Sequence, residues 1–160
     1  MSAQRGFTYL GLLFAVALFG LLIASAGQVW HKVAQRQREE ELLFIGEQFS
    51  AALASYRAAT PGDIKHWPRR LDELVEDKRG PLLRRHLRKL FVDPMTGHRD
   101  WGLVMAGAEI TGIYSLGEGV PIKQANFPSE RTNFGAARSY QEWRFTGAAE
   151  VPPPEEGAGG

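Results

Sequence analysis

The sequence predicts an α+β fold: one long N-terminal helix, part transmembrane and part amphipathic, packed on a small antiparallel sheet. Three observations predict it. Residues 7–30 contain no Asp, Glu, Lys, Arg or His, Leu42, Ile45, Phe49, Leu53 and Tyr56 recur at spacings of three or four, and two strand-like runs flank Gly107. The first suits a helix in lipid, the second aligns apolar side chains on one helical face, and the third reads as a hairpin.

At 160 residues the chain has room for one modest domain plus an anchor. Its 19 Lys+Arg and 18 Asp+Glu leave a net charge of +1, so no whole-molecule field recruits nucleic acid or anionic lipid. The absence of cysteine removes disulfides, thiolate nucleophiles and Cys-based zinc sites.

As a helix, residues 7–30 reach roughly 36 Å, enough for a hydrocarbon core of about 30 Å. A cleaved secretory signal has a small-x-small site available at Ala24-Ser25-Ala26, although the uncharged run continues to Trp30. A plain single-pass anchor has Arg5 on one side and Lys32, Arg36 and Arg38 on the other, a charge bias opposed to export of the C-terminal domain. The polar block 31–41 contains no Gly or Pro, and Arg36 and Glu40 are spaced for an i,i+4 pair. One helix over 7–58 is expected, ending before Pro61-Gly62, with two helices broken near Gly27 as the alternative.

Residues 67–77 predict a short helix through Leu71, Leu74 and Val75, and residues 80–93 a second one with Pro81 in its first turn and Leu83, Leu87 and Leu90 aligned. Asp93, Pro94 and Gly97 then form a structural turn: Pro94 fixes its φ and Gly97 is free to take a positive one. Strands follow at 101–106 and 109–116, with a third at 142–146. Residues 117–139 read as a long irregular loop, and the tail 147–160 lacks apolar payload and is expected to be disordered.

No catalytic residue is indicated. His31, His66, His86 and His98 have no close metal-ligand spacing and read as surface residues, and no nucleophile elbow or phosphate-cradling glycine loop is present. Asp93 suits a turn better than a metal. Residues 78–89 hold six Lys or Arg, which as a helix would form a basic face suited to phosphate, to solvent or to a partner's acids.

Arg5-Gly6, then Phe7, Thr8 and Leu10, then an apolar helix, resembles the class III signal of type IV pilins and type II secretion pseudopilins. Residues 67–77 followed by "FVDPMTG" and Trp101 are similar to a stretch of the major pseudopilin. The resemblance implies a pilin-like fold with a leader at 1–6, a transmembrane helix half at 7–30, its amphipathic continuation at 31–60, a globular domain at 61–146 and the tail. It implies cleavage between Gly6 and Phe7 by a prepilin peptidase, methylation of Phe7, and assembly into a filament with other pseudopilins on an inner-membrane platform. The site would be the helix itself: Phe7, Leu10, Leu13, Phe14, Leu18 and Leu22 exchange membrane lipid for neighbouring helices, while Gly20 and Ala24 permit close approach.

Gly11 stands where the family usually has a glutamate that pairs with a neighbour's terminal amine, which suits a minor or tip subunit. The family's major member carries calcium in a late acidic loop. Here residues 115–130 offer only Glu118 and Glu130 and include Lys123, which leaves calcium short of ligands, and no other cofactor is expected. The implied location is the bacterial inner membrane, single-pass, with the C-terminal domain in the periplasm. The rival readings are a membrane-anchored periplasmic binding module that does not polymerise and a DNA-binding pilin-like receptor using residues 78–89.

Overall fold

The structure, a computed structural model, describes residues 5–147, and within that span the side chains of 5–8, 22–29 and 130 are not described. The expected leader at 1–6 and tail segment 148–160 lie wholly or mostly outside the described residues. The chain is α+β, with one long helix and a three-stranded antiparallel sheet.

Helix α1 runs from Arg5–Ala58 without a break at Gly27. It stops where Pro61 can no longer donate a backbone N–H, and Thr60 closes the last turn by donating its hydroxyl to the Tyr56 carbonyl at 3.3 Å. The Arg36–Glu40 pair is not made among the described residues, because both side chains stand in solvent, where such a pair gains little. Two compact units meet within α1, Met1–Gln37 and Arg38–Gly160. Among the described residues no helix is long and apolar enough to cross a membrane. The described side chains of the uncharged run are those of residues 9–21 and Trp30, and a stretch as short as 9–21 rises only about 20 Å.

In the second unit the 3.6-residue period of α1 becomes a buried stripe of Leu42, Ile45, Phe49, Leu53 and Tyr56. Strands β1 (Gly102–Ala106), β2 (Glu109–Tyr114) and β3 (Phe145–Thr146) form a sheet in the order β1-β2-β3. The β1–β2 hairpin turns at Gly107, which takes φ +63°, and a bulge interrupts its register between Val104 and Met105. β2 contributes Ile113, which pairs with Phe145 of β3, and the Phe145 ring lies on Gly46 of α1. Trp101 meets Phe49 at 5.4 Å between ring centroids, and Trp143 stacks on Phe134 at 5.6 Å and 7°.

Five expectations are corrected. Residues 67–77 supply only a 3-10 turn, Leu71–Leu74. Residues 80–93 form no helix: Asp77 and Arg84 exchange both backbone bonds as an isolated antiparallel bridge, and the Leu74 carbonyl accepts from His86 and Leu87. A helix there would also have stacked like charges at Arg84/Arg88 and Arg85/Lys89. Strand β3 is shorter than 142–146, because Tyr140–Glu142 is a 3-10 turn and Trp143 leaves the strand to donate its indole N–H to the Phe134 carbonyl at 3.1 Å. Residues 117–139 are not wholly irregular, since Ser129–Ala136 is 3-10 helical, and Gly147 belongs to the domain rather than the tail: its N–H donates to the Thr111 carbonyl at 3.0 Å.

Gly46 permits the approach of β3 to α1. A Cβ there would lie 2.1 Å from Cδ1 of the fully buried Phe145 ring. Gly46→Ala should therefore lower stability by about 1–3 kcal/mol from overpacking, despite the roughly 1 kcal/mol of helix propensity it gains. Urea unfolding of the full chain in neutral detergent checks this, and a higher midpoint for the alanine variant would contradict it.

Candidate functional site

Residues 9–21 of α1 consist only of Gly, Ala and large apolar or aromatic side chains. Tyr9, Leu10, Leu12, Leu13, Phe14, Val16, Leu18, Phe19 and Leu21 point in all directions around the axis, and each is between 48% and 74% exposed. Of the residues expected to carry assembly, Leu10, Leu13, Phe14 and Leu18 belong to this surface. Gly11 and Gly20 lie between them, and a Cβ at either would meet nothing within 4 Å. Gly6, Phe7, Leu22 and Ala24 fall within the helix, and their side chains lie outside the described residues.

Asp93, Pro94 and Gly97 come together in one turn. Asp93 N–H donates to the His98 carbonyl at 2.7 Å and Gly97 N–H to the Asp93 carbonyl at 2.8 Å, with Gly97 at φ +75°. The fully buried Asp93 carboxylate accepts from Met95 N–H at 2.9 Å, Ser115 hydroxyl at 2.7 Å and Leu116 N–H at 3.3 Å. The turn thereby holds the chain leaving β2.

A second buried carboxylate, Glu39, was hidden in the polar block. It accepts from Ile122 N–H at 2.7 Å, Lys123 N–H at 3.0 Å and the Tyr140 hydroxyl at 2.6 Å. Its signal was positional: Glu39 lies three residues before Leu42, on the face that Ile45 and Phe49 continue. The late loop thus turns N–H donors toward an anion. Calcium would instead require carbonyls and carboxylates facing a cation. Among the described residues no group of three or more His, Cys, Asp or Glu could hold a metal ion.

A third polar cluster joins Asp77, Arg79, His86 and Tyr56. Arg79 grips Asp77 through Nε at 2.9 Å and Nη2 at 2.8 Å, reaches the Thr60 hydroxyl and the Tyr56 carbonyl, and lies 3.5 Å over the Tyr56 ring. The Tyr56 hydroxyl donates to Glu73 at 2.5 Å. His86, expected at the surface, has a side chain only 5% exposed, because its ring bridges Ser55 Oγ at 2.8 Å and Asp77 Oδ2 at 3.1 Å. With Nε2–H donating to Asp77, Nδ1 accepts from Ser55.

Ser, His and Asp in a row suggest nucleophilic catalysis, but the electrostatics here oppose it. Arg79 already compensates the Asp77 charge that would have to stabilise an imidazolium, and Ser55 lies inside α1, where neighbouring N–H groups serve the helix ladder rather than an oxyanion. The arrangement serves to tie residues 77–86 to α1. The Arg79 side chain holds the Asp77 carboxyl well below the usual carboxylate range, with burial opposing it, and the same bonds raise Arg79. Burial, then the bond to Glu73, raises the Tyr56 hydroxyl.

Comparison of the chain with family models, curated proteins and solved structures returns no match. The functional reading therefore falls to the chain's own residues.

Two outcomes follow from the buried carboxylates. Removing Glu39 strands two backbone donors and a phenol, so Glu39→Ala should cost about 3 kcal/mol and open residues 117–128 to limited proteolysis. An unchanged digestion pattern would refute the latch. A depressed Asp77 contributes stability that is present above its unfolded value of about 3.9 and is lost as pH falls through the folded value. The melting temperature of Asp77→Asn should consequently lie furthest below the parent's near neutral pH, and the gap should begin to close only as pH falls below about 4, whereas a gap independent of pH would exclude this linkage.

Proposed function

We propose that the chain is a pseudopilin-like subunit of a type II secretion or type IV pilus apparatus, a structural protein rather than an enzyme. One observation carries this reading: the apolar surface of residues 9–21, all round the helix and exposed within the chain. Leaving a large apolar side chain in water rather than burying it costs about 1.5–3 kcal/mol. Nine of them amount to something on the order of 15 kcal/mol, comparable with the whole stability of a domain. Such a surface has to be covered by lipid or by other helices.

The uncharged run from Phe7 to Trp30 is long enough in sequence to span the inner membrane, with residues 38–147 on the periplasmic side. Cleavage after Gly6 by a prepilin peptidase would leave Phe7 as the new terminus. On assembly, Leu10, Leu13, Phe14 and Leu18 exchange lipid for helices of neighbouring pseudopilins. Because lipid is as apolar as those neighbours, the gain comes from close packing, which Gly11, Ala15, Ala17 and Gly20 allow. No metal or cofactor enters this mechanism.

Gly11 provides no carboxylate for a neighbour's amine, which places the chain where that pairing is dispensable, as in a minor or tip subunit. The mass of the mature N-terminus tests processing: co-expression with a prepilin peptidase should yield a chain beginning at methylated Phe7. An intact Met1 would favour a plain anchored binding module, and a start at Gly27 a secreted domain. Gly11→Glu should raise the share of this subunit in assembled filaments, and identical stoichiometry would defeat the argument from that position.

A further inference from the structure

One cleft of the domain has two arginines in its lining and no acid. It measures about 440 Å³ and is bordered by Gln48 of α1 and by Arg85, His86, Leu87, Arg88 and Phe91. Among the described residues the side chains of Gln48, Arg85 and Arg88 make no ion pair and no hydrogen bond. Acids attached to the same elements are engaged elsewhere: Glu47 meets Arg131 at 2.7 Å, and Asp77, bonded to the His86 ring, is held by Arg79. The residues of α1 one turn from Gln48, namely Phe44, Ile45, Ala51 and Ala52, carry no charge. A second cleft of about 550 Å³, which Arg88 also borders, differs in this respect, because Asp72, Glu73 and Glu76 line it together with its cations.

The backbone that carries these groups is fixed. Between the two arginines, His86 N–H and Leu87 N–H donate to the Leu74 carbonyl at 2.9 and 2.8 Å, the His86 ring is tied to Ser55 and Asp77, and the Leu87 side chain is buried. Phe91 packs edge-on against Phe49, and its carbonyl accepts from the Trp101 indole at 3.0 Å. A lining that is already ordered loses little freedom when a ligand arrives. Both guanidiniums can only donate hydrogen bonds, and the Gln48 amide can donate beside them. The complementary ligand is therefore negative and rich in acceptors, a carboxylate or a phosphate, which arginine grips through two parallel N–H bonds. Phe91 adds an apolar wall, which suits hydrocarbon attached to the acid. A concave site lined by one sign of charge also concentrates such anions locally.

We infer that the cleft lined by Gln48, Arg85, Arg88 and Phe91 is a binding site for a small organic oxyanion, with the acid on the arginines and the hydrocarbon on the Phe91 ring. The inference goes beyond the assembly reading and does not depend on it. Phthalate supplies the carboxylate form of this chemistry and phenyl phosphate the phosphate form, so their relative potency identifies the acid. In the full-length protein in neutral detergent, at least one of them should protect Arg85 and Arg88 from modification by phenylglyoxal, read by peptide mass, while the exposed Arg138 is labelled as before. With the probe at its dissociation constant half of the sites are filled, and labelling should fall about twofold. Inorganic phosphate should protect only at higher concentration, because it has no ring to set against Phe91. Arg85→Gln has no ion pair to lose and should keep the parent's melting temperature, yet protection at Arg88 should disappear in it. Protection by neither organic probe, equal protection at Arg138, equal protection by sodium chloride at the same ionic strength, equal potency of inorganic phosphate, or undiminished protection of Arg88 in Arg85→Gln would overturn the inference.

Discussion

The face of α1 from Glu39 to Tyr56 is the surface against which the core of the domain is assembled. Phe49 receives Trp101 and Phe91, Gly46 receives Phe145, and Leu53 and Trp67 both lie against Gly147. Ser50 and Glu47 hold Arg131, whose guanidinium covers the rings of Phe134 and Phe145. At one end Glu39 secures the late loop and Tyr140, and at the other Tyr56 joins Glu73 and Arg79. With a sheet of three short strands, no strand pair could form such a core alone, and the helix has to supply one whole side of it.

This dependence explains why charged groups occur so deep in a small domain. Loops 77–86 and 117–128 are each fastened through a carboxylate that accepts several bonds, and the second also packs Phe127 on Phe134 and Trp143. No buried polar side-chain atom is left without a partner among the described residues. A satisfied buried carboxylate contributes specificity more than raw stability, since any sliding of the loop would leave donors unpaired in a poor solvent for them. The same logic reads Ser55, His86 and Asp77 as a fastening: a base prepared for catalysis needs an uncommitted carboxylate behind it, and this one is spent on Arg79.

Periodic and local features were legible in the sequence. The stripe from Leu42 to Tyr56 follows from spacing, the hairpin from alternation about Gly107, and the Asp93–Gly97 turn from Pro and Gly chemistry. What was not legible depends on partners distant in sequence. Residues 80–93 carry helical spacing, but their backbone bonds go to Leu74 and Asp77, and Leu83 faces solvent instead of a core. Trp143 alternates with Phe145 as a strand would, yet the Phe134 ring draws it out of the sheet. Glu39 looked like one more charge in a polar block, and only its phase relative to Leu42 set it apart. In the candidate assembly site, exposure of residues 9–21 adds a physical demand to what composition already suggested.

That demand separates the two ends of one helix. Around Leu42 to Tyr56 the apolar side chains are confined to one face and this chain covers them, so that part of α1 is complete in itself. Along residues 9–21 they occupy every face, and no arrangement of a single small domain could cover them all and still leave the Leu42 to Tyr56 stripe its sheet. On the proposed assembly reading, lipid or neighbouring helices cover them. Small residues at 11, 15, 17 and 20 then matter more than the large ones, because any apolar surroundings satisfy leucine, whereas close backbone approach rewards only another helix. On the proposed assembly reading, selection between lipid and neighbour rests on the positions with the least side chain, and Gly11 is one of them.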